Sequence, residues 1–151
     1  MRRIIYLDTS ALAKWYLNES RSEDVEKFIQ ENAPVDISDL TGVEMRCLLA
    51  RRRREGNIDP TTEMKVFSVF EEDVRQQFLI CHPMPSGTAA AAVHLFSTLP
   101  EIRLRTLDAL HLAVAREIQA EILVSADRVM LAAAQAMGFD VVRFDRPGTN
   151  P

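Results

Sequence analysis

The chain has 151 residues, of which 47% are hydrophobic and 26% charged, and its formal net charge is -4. This length suits one domain with a substantial core, and the composition excludes a low-complexity or disordered chain. The acidic balance argues against a protein that binds nucleic acid through bulk positive charge, although a nuclease whose site is built of carboxylates fits it.

Neither a targeting signal nor a membrane span is predicted. Met1, Arg2 and Arg3 precede an apolar run as in a signal peptide, but Asp8 interrupts that run after four residues. No stretch approaches the roughly 18 apolar residues of a membrane-spanning helix. Cys47 and Cys81 each lie in an apolar run and are predicted to be small core residues, which suits a reducing compartment. We therefore expect a cytoplasmic protein without a membrane partner.

The first predicted strand ends at a carboxylate. Ile4 to Leu7 form a short apolar run that predicts a buried strand, and Ala11 to Leu17 predict a helix. Asp8 lies at the end of the strand, where open α/β sheets bind ligands. Aspartate is also a preferred helix N-cap, so Asp8 has a purely structural alternative role.

The rest of the chain alternates predicted helices with short apolar strands. In order they are a helix capped by Ser22, a strand at Val35–Ser38, a loop and cap at Asp39–Gly42, a helix from about Val43 to Arg54, a helix begun by Pro60, a strand at Phe78–His82, a helix capped by Ser86 and running to about Leu99, a helix at Leu107–Glu117 capped by Thr106, a strand at Glu121–Ser125, a helix from Asp127 to Met137 stopped by Gly138, and a strand at Asp140–Phe144. This alternation predicts an α/β fold with a mostly parallel sheet of about five strands flanked by helices. We expect one domain over residues 1–145 and a tail at 146–151.

Two further carboxylates lie near the starts of helices. Glu44 shares a helix face with Cys47 and Leu48, which is unusual for a solvent-facing acid, although a solvated glutamate favoured by the helix dipole is the alternative. Asp108 lies in a helix that is apolar almost all round and therefore predicted to be buried. A buried carboxylate is costly unless it is paired or binds a metal, and the alternative is a first-turn acid below Thr106.

A fourth carboxylate repeats the topology of the first. Asp127 follows a predicted strand just as Asp8 does, again with a helix cap as the alternative. In a parallel sheet, strand ends and helix starts of this kind lie at one edge. Carboxylates gathered there would repel one another unless cations held them, and oxygen ligands without cysteine or histidine select Mg²⁺ or Mn²⁺.

Together these residues resemble the PIN-domain family. The resemblance covers nearly the whole chain and is carried by Asp8-Thr9-Ser10-Ala11-Leu12, Glu44, the segment Thr106–Ala113 and Ser125-Ala126-Asp127. A compact chain of this kind is most similar to the stand-alone toxin ribonucleases of type II toxin–antitoxin modules. The resemblance implies a Mg²⁺- or Mn²⁺-dependent endoribonuclease that acts on RNA, is usually a homodimer and is inhibited by a small antitoxin.

The same resemblance implies roles for individual residues. It makes the catalytic and metal-binding residues Asp8, Glu44, Asp108 and Asp127, and the supporting polar residues Thr9, Ser10 and Ser125. Hydrolysis at such a site would leave a 5′-phosphate and a 3′-hydroxyl.

Different function classes stay open. A receiver-like signalling module also has an acidic pocket, but it needs a lysine near the end of a late strand, and none is found at Ser125 or Phe144. A catalytically silent binding protein is a second class that fits the residues. A PIN nuclease of RNA processing, acting without an antitoxin, is a third.

Three further features have two interpretations each. His111 could orient Asp108 or be a core histidine. The basic run Arg51–Arg54 could bind phosphates or form a solvated helix end. The aromatic segment Trp15–Leu17 could pack in the core or form a partner surface.

Overall fold

The structure is a computed structural model that describes residues 2–146. Met1 and residues 147–151, which include most of the expected tail, lie outside the described part. The strands within it are β1 (Ile5–Leu7), β2 (Val35–Ser38), β3 (Leu79–His82), β4 (Ile122–Ser125) and β5 (Asp140–Arg143). The helices are α1 (Thr9–Tyr16), α2 (Ser22–Asn32), α3 (Asp39–Arg54), α4 (Pro60–Arg75), α5 (Thr88–Thr98), α6 (Thr106–Glu117) and α7 (Arg128–Ala136).

The strands form one sheet in the order β3-β2-β1-β4-β5, and every pairing is parallel. The predicted α/β class with a sheet of about five strands is confirmed. Because the chain leaves β1 towards β2 and β3 and later returns to β4 on the other side, strand order reverses at β1 and β4. Open α/β sheets bind ligands in the crevice at such a reversal, beyond the carboxyl ends of the strands.

Helices cover both faces of the sheet. Successive strand residues point to opposite faces, so Ile5 and Leu7 pack with α1 to α4, whereas Tyr6 packs with α5 to α7. Burial on both faces explains why β1 and most of β4 are apolar runs without alternation, whereas β2 alternates apolar and polar residues that are all buried. Within residues 2–146, no helix has the length and apolar character needed to cross a membrane.

Several predicted helix starts were wrong. The segment Asp39–Gly42 is the first turn of α3 and not a loop, because Ser38 is the N-cap and its N–H is accepted by the Thr41 hydroxyl. Ser22 and Thr106 are the first residues of their helices, each preceded by an arginine as N-cap. Ser86 does not cap α5. Gly87 does so with a φ of 89°, a conformation that glycine adopts most readily.

The two cysteines differ in exposure. Cys47 is exposed on α3, so the prediction of a core residue there was wrong, while Cys81 is half-buried. The Cys81 thiol lies 3.6 Å from Asp39, and burial together with that carboxylate raises its pKa to about 11. Of the aromatic segment, Trp15 and Tyr16 are half-buried and pack against the core of α1 to α4.

Candidate active site

A cleft of about 680 Å³ lies beside the carboxyl ends of β1 and β4, at the reversal of strand order. All the carboxylates predicted from the sequence line it, namely Asp8, Glu44, Asp108 and Asp127. Asp8 and Asp127 follow the two central strands, Glu44 comes from α3 and Asp108 from α6. The fold therefore brings together four carboxylates that lie up to 119 residues apart in sequence.

Asp8 is the most enclosed of the four, with 3% of its surface exposed. One of its oxygens caps α1, accepting from the Ala11 N–H at 3.1 Å and from the Ser10 hydroxyl at 2.7 Å. The other oxygen accepts from the Ser125 hydroxyl at 2.5 Å. The predicted cap is therefore real, but it occupies only part of the carboxylate.

Ser10 and Ser125 also connect the ends of β1 and β4. The Ser10 hydroxyl accepts from the Ala126 N–H at 3.0 Å, and that of Ser125 accepts from the Asp127 N–H at 2.9 Å. Each serine thus donates to Asp8 while holding the backbone that leads to Asp127. Their placement beside Asp8 agrees with the supporting position expected for them.

The guanidinium of Arg105 lies close to both Asp127 and Asp108. One oxygen of Asp127 caps α7 by accepting from the Val129 and Met130 N–H groups at 2.8 and 3.1 Å. Its other oxygen lies 3.3 Å from the guanidinium of Arg105, which is also 3.9 Å from Asp108. The side chain of Arg105 is 78% exposed, so solvent screens both contacts strongly.

One carboxylate oxygen of Glu44 accepts hydrogen bonds from two side chains. That oxygen accepts from the Thr9 hydroxyl at 2.7 Å and from Nε2 of His111. Its second oxygen, like the Oδ1 oxygen of Asp108, accepts no hydrogen bond from residues 2–146. Each of these carboxylates therefore keeps an oxygen for water, a cation or a substrate.

His111 is a buried histidine with a hydrogen-bond partner at each ring nitrogen. A carboxylate only accepts hydrogen bonds, so Nε2 carries the proton that is donated to Glu44. Its Nδ1 lies 2.5 Å from the Tyr6 hydroxyl, and Tyr6 in turn lies 2.9 Å from the hydroxyl of Ser38. Of the two interpretations that the sequence left for His111, the core histidine is confirmed by its 2% exposure, and its carboxylate partner is Glu44 and not Asp108.

The surroundings shift the pKa values of three of these carboxylates in different directions. Burial raises the pKa of Asp8, and the hydrogen bonds from Ser125 and Ser10 offset this only in part. Burial likewise raises the pKa of Asp108, with repulsion from Asp127 adding to it. Burial acts in the same direction on Glu44, but the bonds from His111 and Thr9 prevail and lower its pKa. An added cation would therefore favour the ionised forms of Asp8 and Asp108.

The donor chemistry of the cleft fits a hard divalent cation, because its four acids offer oxygen ligands only. The distances between the possible ligands are less favourable for a bound ion. Within residues 2–146, no three side chains of histidine, cysteine, aspartate or glutamate stand close enough together to hold an ion as they are. Both oxygens of Asp8 are hydrogen-bonded, and Arg105 lies against Asp108 and Asp127, so these acids are engaged by contacts within the chain.

The arginines of the basic run on α3 differ in their contacts. Arg52 pairs with Glu19 at 2.5 Å, and Arg53 pairs with Glu63 at 2.6 Å, a carboxylate that Arg46 also contacts. These arginines connect α3 to neighbouring elements. Arg51 instead lines the acidic cleft.

Sequence reasoning missed the part played by Arg105. It is the N-cap of α6, its N–H donates to Asp108 at 3.1 Å, and its side chain is the cation nearest to two of the carboxylates. Its position directly before Thr106 was the only signal in the sequence.

The model of the PIN domain matches residues 5–136 of this chain. No curated protein sequence gives a significant match. Among solved structures, the chain is similar to the Mycobacterium tuberculosis VapC20, described as a sarcin–ricin-loop-cleaving toxin. The two are 20% identical with a TM-score of 0.70, over 93% of this chain and 99% of that one.

Two further structures are similar at lower identity. One is VapBC2 from Rickettsia felis bound to a promoter DNA fragment, at 12% identity and a TM-score of 0.68, over 94% of this chain and 99% of that one. The other is a toxin–antitoxin complex from Klebsiella pneumoniae, at 16% identity and a TM-score of 0.63, over 97% of this chain and 99% of that one. At these identities the likeness concerns the fold.

Proposed function

This chain belongs to the PIN domain family, and we propose that it is a metal-dependent endoribonuclease that acts as the toxin of a type II toxin–antitoxin module. The observation that carries the proposal is that Asp8, Glu44, Asp108 and Asp127 all line one cleft. The similar structures from M. tuberculosis, described as a toxin, and from K. pneumoniae, described as a toxin–antitoxin complex, support the biological setting.

The four carboxylates would hold Mg²⁺, with Mn²⁺ as a substitute. A divalent cation bound there would lower the pKa of a water molecule and neutralise the negative charge that develops on the scissile phosphate. The chain's own residues prepare the site for it. Ser10 and Ser125 fix the orientation of Asp8, while Thr9 and His111 fix that of Glu44. Their hydrogen bonds leave the orientation of these two side chains little freedom.

Cleavage of RNA by the purified protein tests the chemistry. We expect internal cleavage in Mg²⁺ that EDTA abolishes, with products that carry a 5′-phosphate. Asp127→Asn should lose this activity. Its matched control is Asp59→Asn, because Asp59 also caps a helix through its side chain, at 2.7 Å from the Thr62 N–H, but is exposed outside the cleft. Equal activity of the two variants, or cleavage that persists in EDTA, would refute the metal mechanism.

Expression in a bacterial host tests the biological role. We expect a homodimer in the cytoplasm whose expression alone is toxic, and relief of that toxicity by a small protein encoded beside it. Asp8→Asn should be harmless at the same level of folded protein. Harmless expression of active wild-type enzyme would instead favour a PIN nuclease of RNA processing without an antitoxin.

A further inference from the structure

A tyrosine hydroxyl is buried behind the cleft without lining it. Tyr6 lies in β1 with 0% of its surface exposed, and its ring packs in the core with α5 to α7. A phenylalanine would bury the same ring without a polar atom, whereas a buried hydroxyl is unfavourable unless it is hydrogen-bonded. The partners of this hydroxyl are therefore the feature of Tyr6 that calls for an explanation.

The Tyr6 hydroxyl connects the two helices that carry Glu44 and Asp108. It lies 2.5 Å from Nδ1 of His111 on α6, the helix of Asp108. It also lies 2.9 Å from the hydroxyl of Ser38, which is the N-cap of α3, the helix of Glu44. A single buried group on β1 thus contacts both elements that bring these carboxylates to the cleft.

His111 lies between Tyr6 and Glu44. Its Nε2 donates to the Glu44 carboxylate, while its Nδ1 contacts Tyr6. The χ2 torsion of histidine has broad energy wells, so the torsion alone does not fix the plane of the ring. A hydrogen bond at each nitrogen does fix it, whichever atom donates in the contact with Tyr6. Without the Tyr6 hydroxyl, one of these two restraints is lost and Nε2 is less well aligned with Glu44.

We propose that Tyr6 is a positioning residue of the active site, which acts through His111 to hold Glu44 in the orientation that binds a divalent cation. This inference rests on the proposed function, since it concerns how the cleft holds its metal. Removing an outer hydrogen-bond partner of a metal ligand typically lowers metal affinity or activity by about 10- to 100-fold. Because Tyr6 is one hydrogen bond further from the cation than His111, we expect its effect near the lower end of that range.

Mn²⁺ binding by the metal-free protein, followed through the EPR signal of free Mn²⁺, tests the inference without relying on activity. Tyr6→Phe should weaken Mn²⁺ affinity about tenfold. The matched control is Tyr16→Phe, because Tyr16 also donates its hydroxyl to a carboxylate, that of Asp73 at 2.7 Å, but outside the cleft. Each variant loses one hydroxyl hydrogen bond and some stability, whereas Tyr16→Phe should bind Mn²⁺ as the wild type does.

Substitutions of His111 test whether Tyr6 acts through it. His111→Gln keeps an N–H donor for Glu44 and an acceptor for Tyr6, so it should bind Mn²⁺ more tightly than His111→Leu, which has neither. In the His111→Leu background, Tyr6→Phe should cause no further loss of affinity, because the two residues act in series. A full additional loss there would overturn the inference.

NMR of the metal-free protein reports on the ring itself. In the wild type, the Nε2–H of His111 should give a downfield proton signal that exchanges slowly with water, because it is buried and hydrogen-bonded. This signal should persist in Tyr16→Phe and be broadened or lost in Tyr6→Phe. A wild type that lacks the signal would overturn the inference even if Tyr6→Phe failed to fold.

RNA cleavage in Mg²⁺, measured separately, distinguishes failure of this inference from failure of the proposed function. Tyr6→Phe should need about tenfold more Mg²⁺ for half-maximal cleavage but approach the wild-type rate at saturation. An enzyme that cleaves RNA, and whose Mn²⁺ affinity is equal in Tyr6→Phe and wild type, refutes the inference alone. A protein that loses Mn²⁺ affinity in Tyr6→Phe, but whose wild type never cleaves RNA, keeps the positioning role and refutes the nuclease. A wild type that binds no Mn²⁺ refutes both.

Discussion

Two buried aspartates on neighbouring strands of the sheet have opposite electrostatics. Asp36 lies inside β2 and is fully buried, and Asp8 follows β1 and is almost as enclosed. Burial raises the pKa of Asp36 too, but the bonds from Arg2, His82 and the Ile5 N–H prevail and hold it below its usual value. For Asp8, whose partners are serine hydroxyls and one backbone N–H, burial prevails and the pKa rises.

The two aspartates differ in whether a cationic side chain contacts them. Arg2 contacts both oxygens of Asp36 at 2.8 Å, and Nε2 of His82 lies 2.8 Å from one of them. No lysine or arginine contacts Asp8 within residues 2–146. A buried carboxylate that serves structure is supplied with its counterion by the chain. One that is kept without a counterion favours binding a cation from solution, which is the role proposed for Asp8.

The largest expected contrast between the two concerns catalysis. Asp8→Asn should reduce RNA cleavage by at least about a hundredfold, the usual scale for losing one electrostatic group at an active site. Asparagine keeps the acceptor that caps α1, and its amide can donate to Ser125, since a hydroxyl also accepts. Asp36→Asn should stay within a few-fold of wild type at a temperature where it is folded. A single-turnover cleavage assay measures both, and similar losses in the two variants would remove the distinction.

Stability should show the reverse order. Asp36→Asn should lower the free energy of unfolding by about 2 kcal/mol at pH 7, because a hydrogen-bonded charge pair is broken in a buried place. Its control is Glu121→Gln, whose partner Arg3 is next to Arg2 but forms an exposed pair at 3.4 Å. That change should cost well under about 1 kcal/mol. Denaturant melts compare them, and a cost for Glu121→Gln equal to that of Asp36→Asn would contradict the argument.

This contrast also marks what the sequence could predict. The alternation of apolar runs with helix signals was enough for the sheet, and strand ends were enough for Asp8 and Asp127, because parallel strands place those ends at one edge. Asp36 received no role, since its partners Arg2 and His82 are 34 and 46 residues away. Pairings at such separations depend on tertiary packing, which periodicity does not encode.

The same limit explains the residues around the cleft. The partner of His111 is Glu44, 67 residues away, whereas the sequence offered only its neighbour Asp108. The loop and cap predicted at Asp39–Gly42 failed for a different reason. The capping contact between Ser38 and Thr41 is local, and it places the helix start at Asp39.

The Asp8 and Asp36 variants should also differ, by a smaller free energy, in how far Mg²⁺ stabilises them. Mg²⁺ at ten times its Kd should stabilise the wild-type protein by about 1.4 kcal/mol, since it binds only the native state. Asp36→Asn should keep this response, whereas Asp8→Asn should lose most of it. Thermal melts across a Mg²⁺ titration measure the effect, with monovalent salt at matched ionic strength as the control. A response that Asp8→Asn retains in full would place the ion elsewhere.

The smallest expected effect concerns the metal-free protein, and its sign depends on pH. The raised pKa of Asp8 means that the native state binds the proton more tightly than the unfolded state, so ionised Asp8 destabilises the fold above that pKa. In EDTA at pH 7, Asp8→Asn should therefore be more stable than wild type, on the order of 1 kcal/mol.

The advantage of Asp8→Asn should shrink as the pH falls through the raised pKa, and it should vanish below 3.8, where Asp8 is protonated in both states. Asp36 should behave in the opposite sense. Its lowered pKa stabilises the fold above 3.8, so the cost of Asp36→Asn should be fully present at neutral pH and disappear as the pH falls through the pKa of the folded state. Denaturant melts of wild type and both variants in EDTA, from pH 7 down to about 3, give the two curves. Two curves of the same sign would mean that Asp8 is a structural carboxylate like Asp36, with its charge already satisfied by the protein.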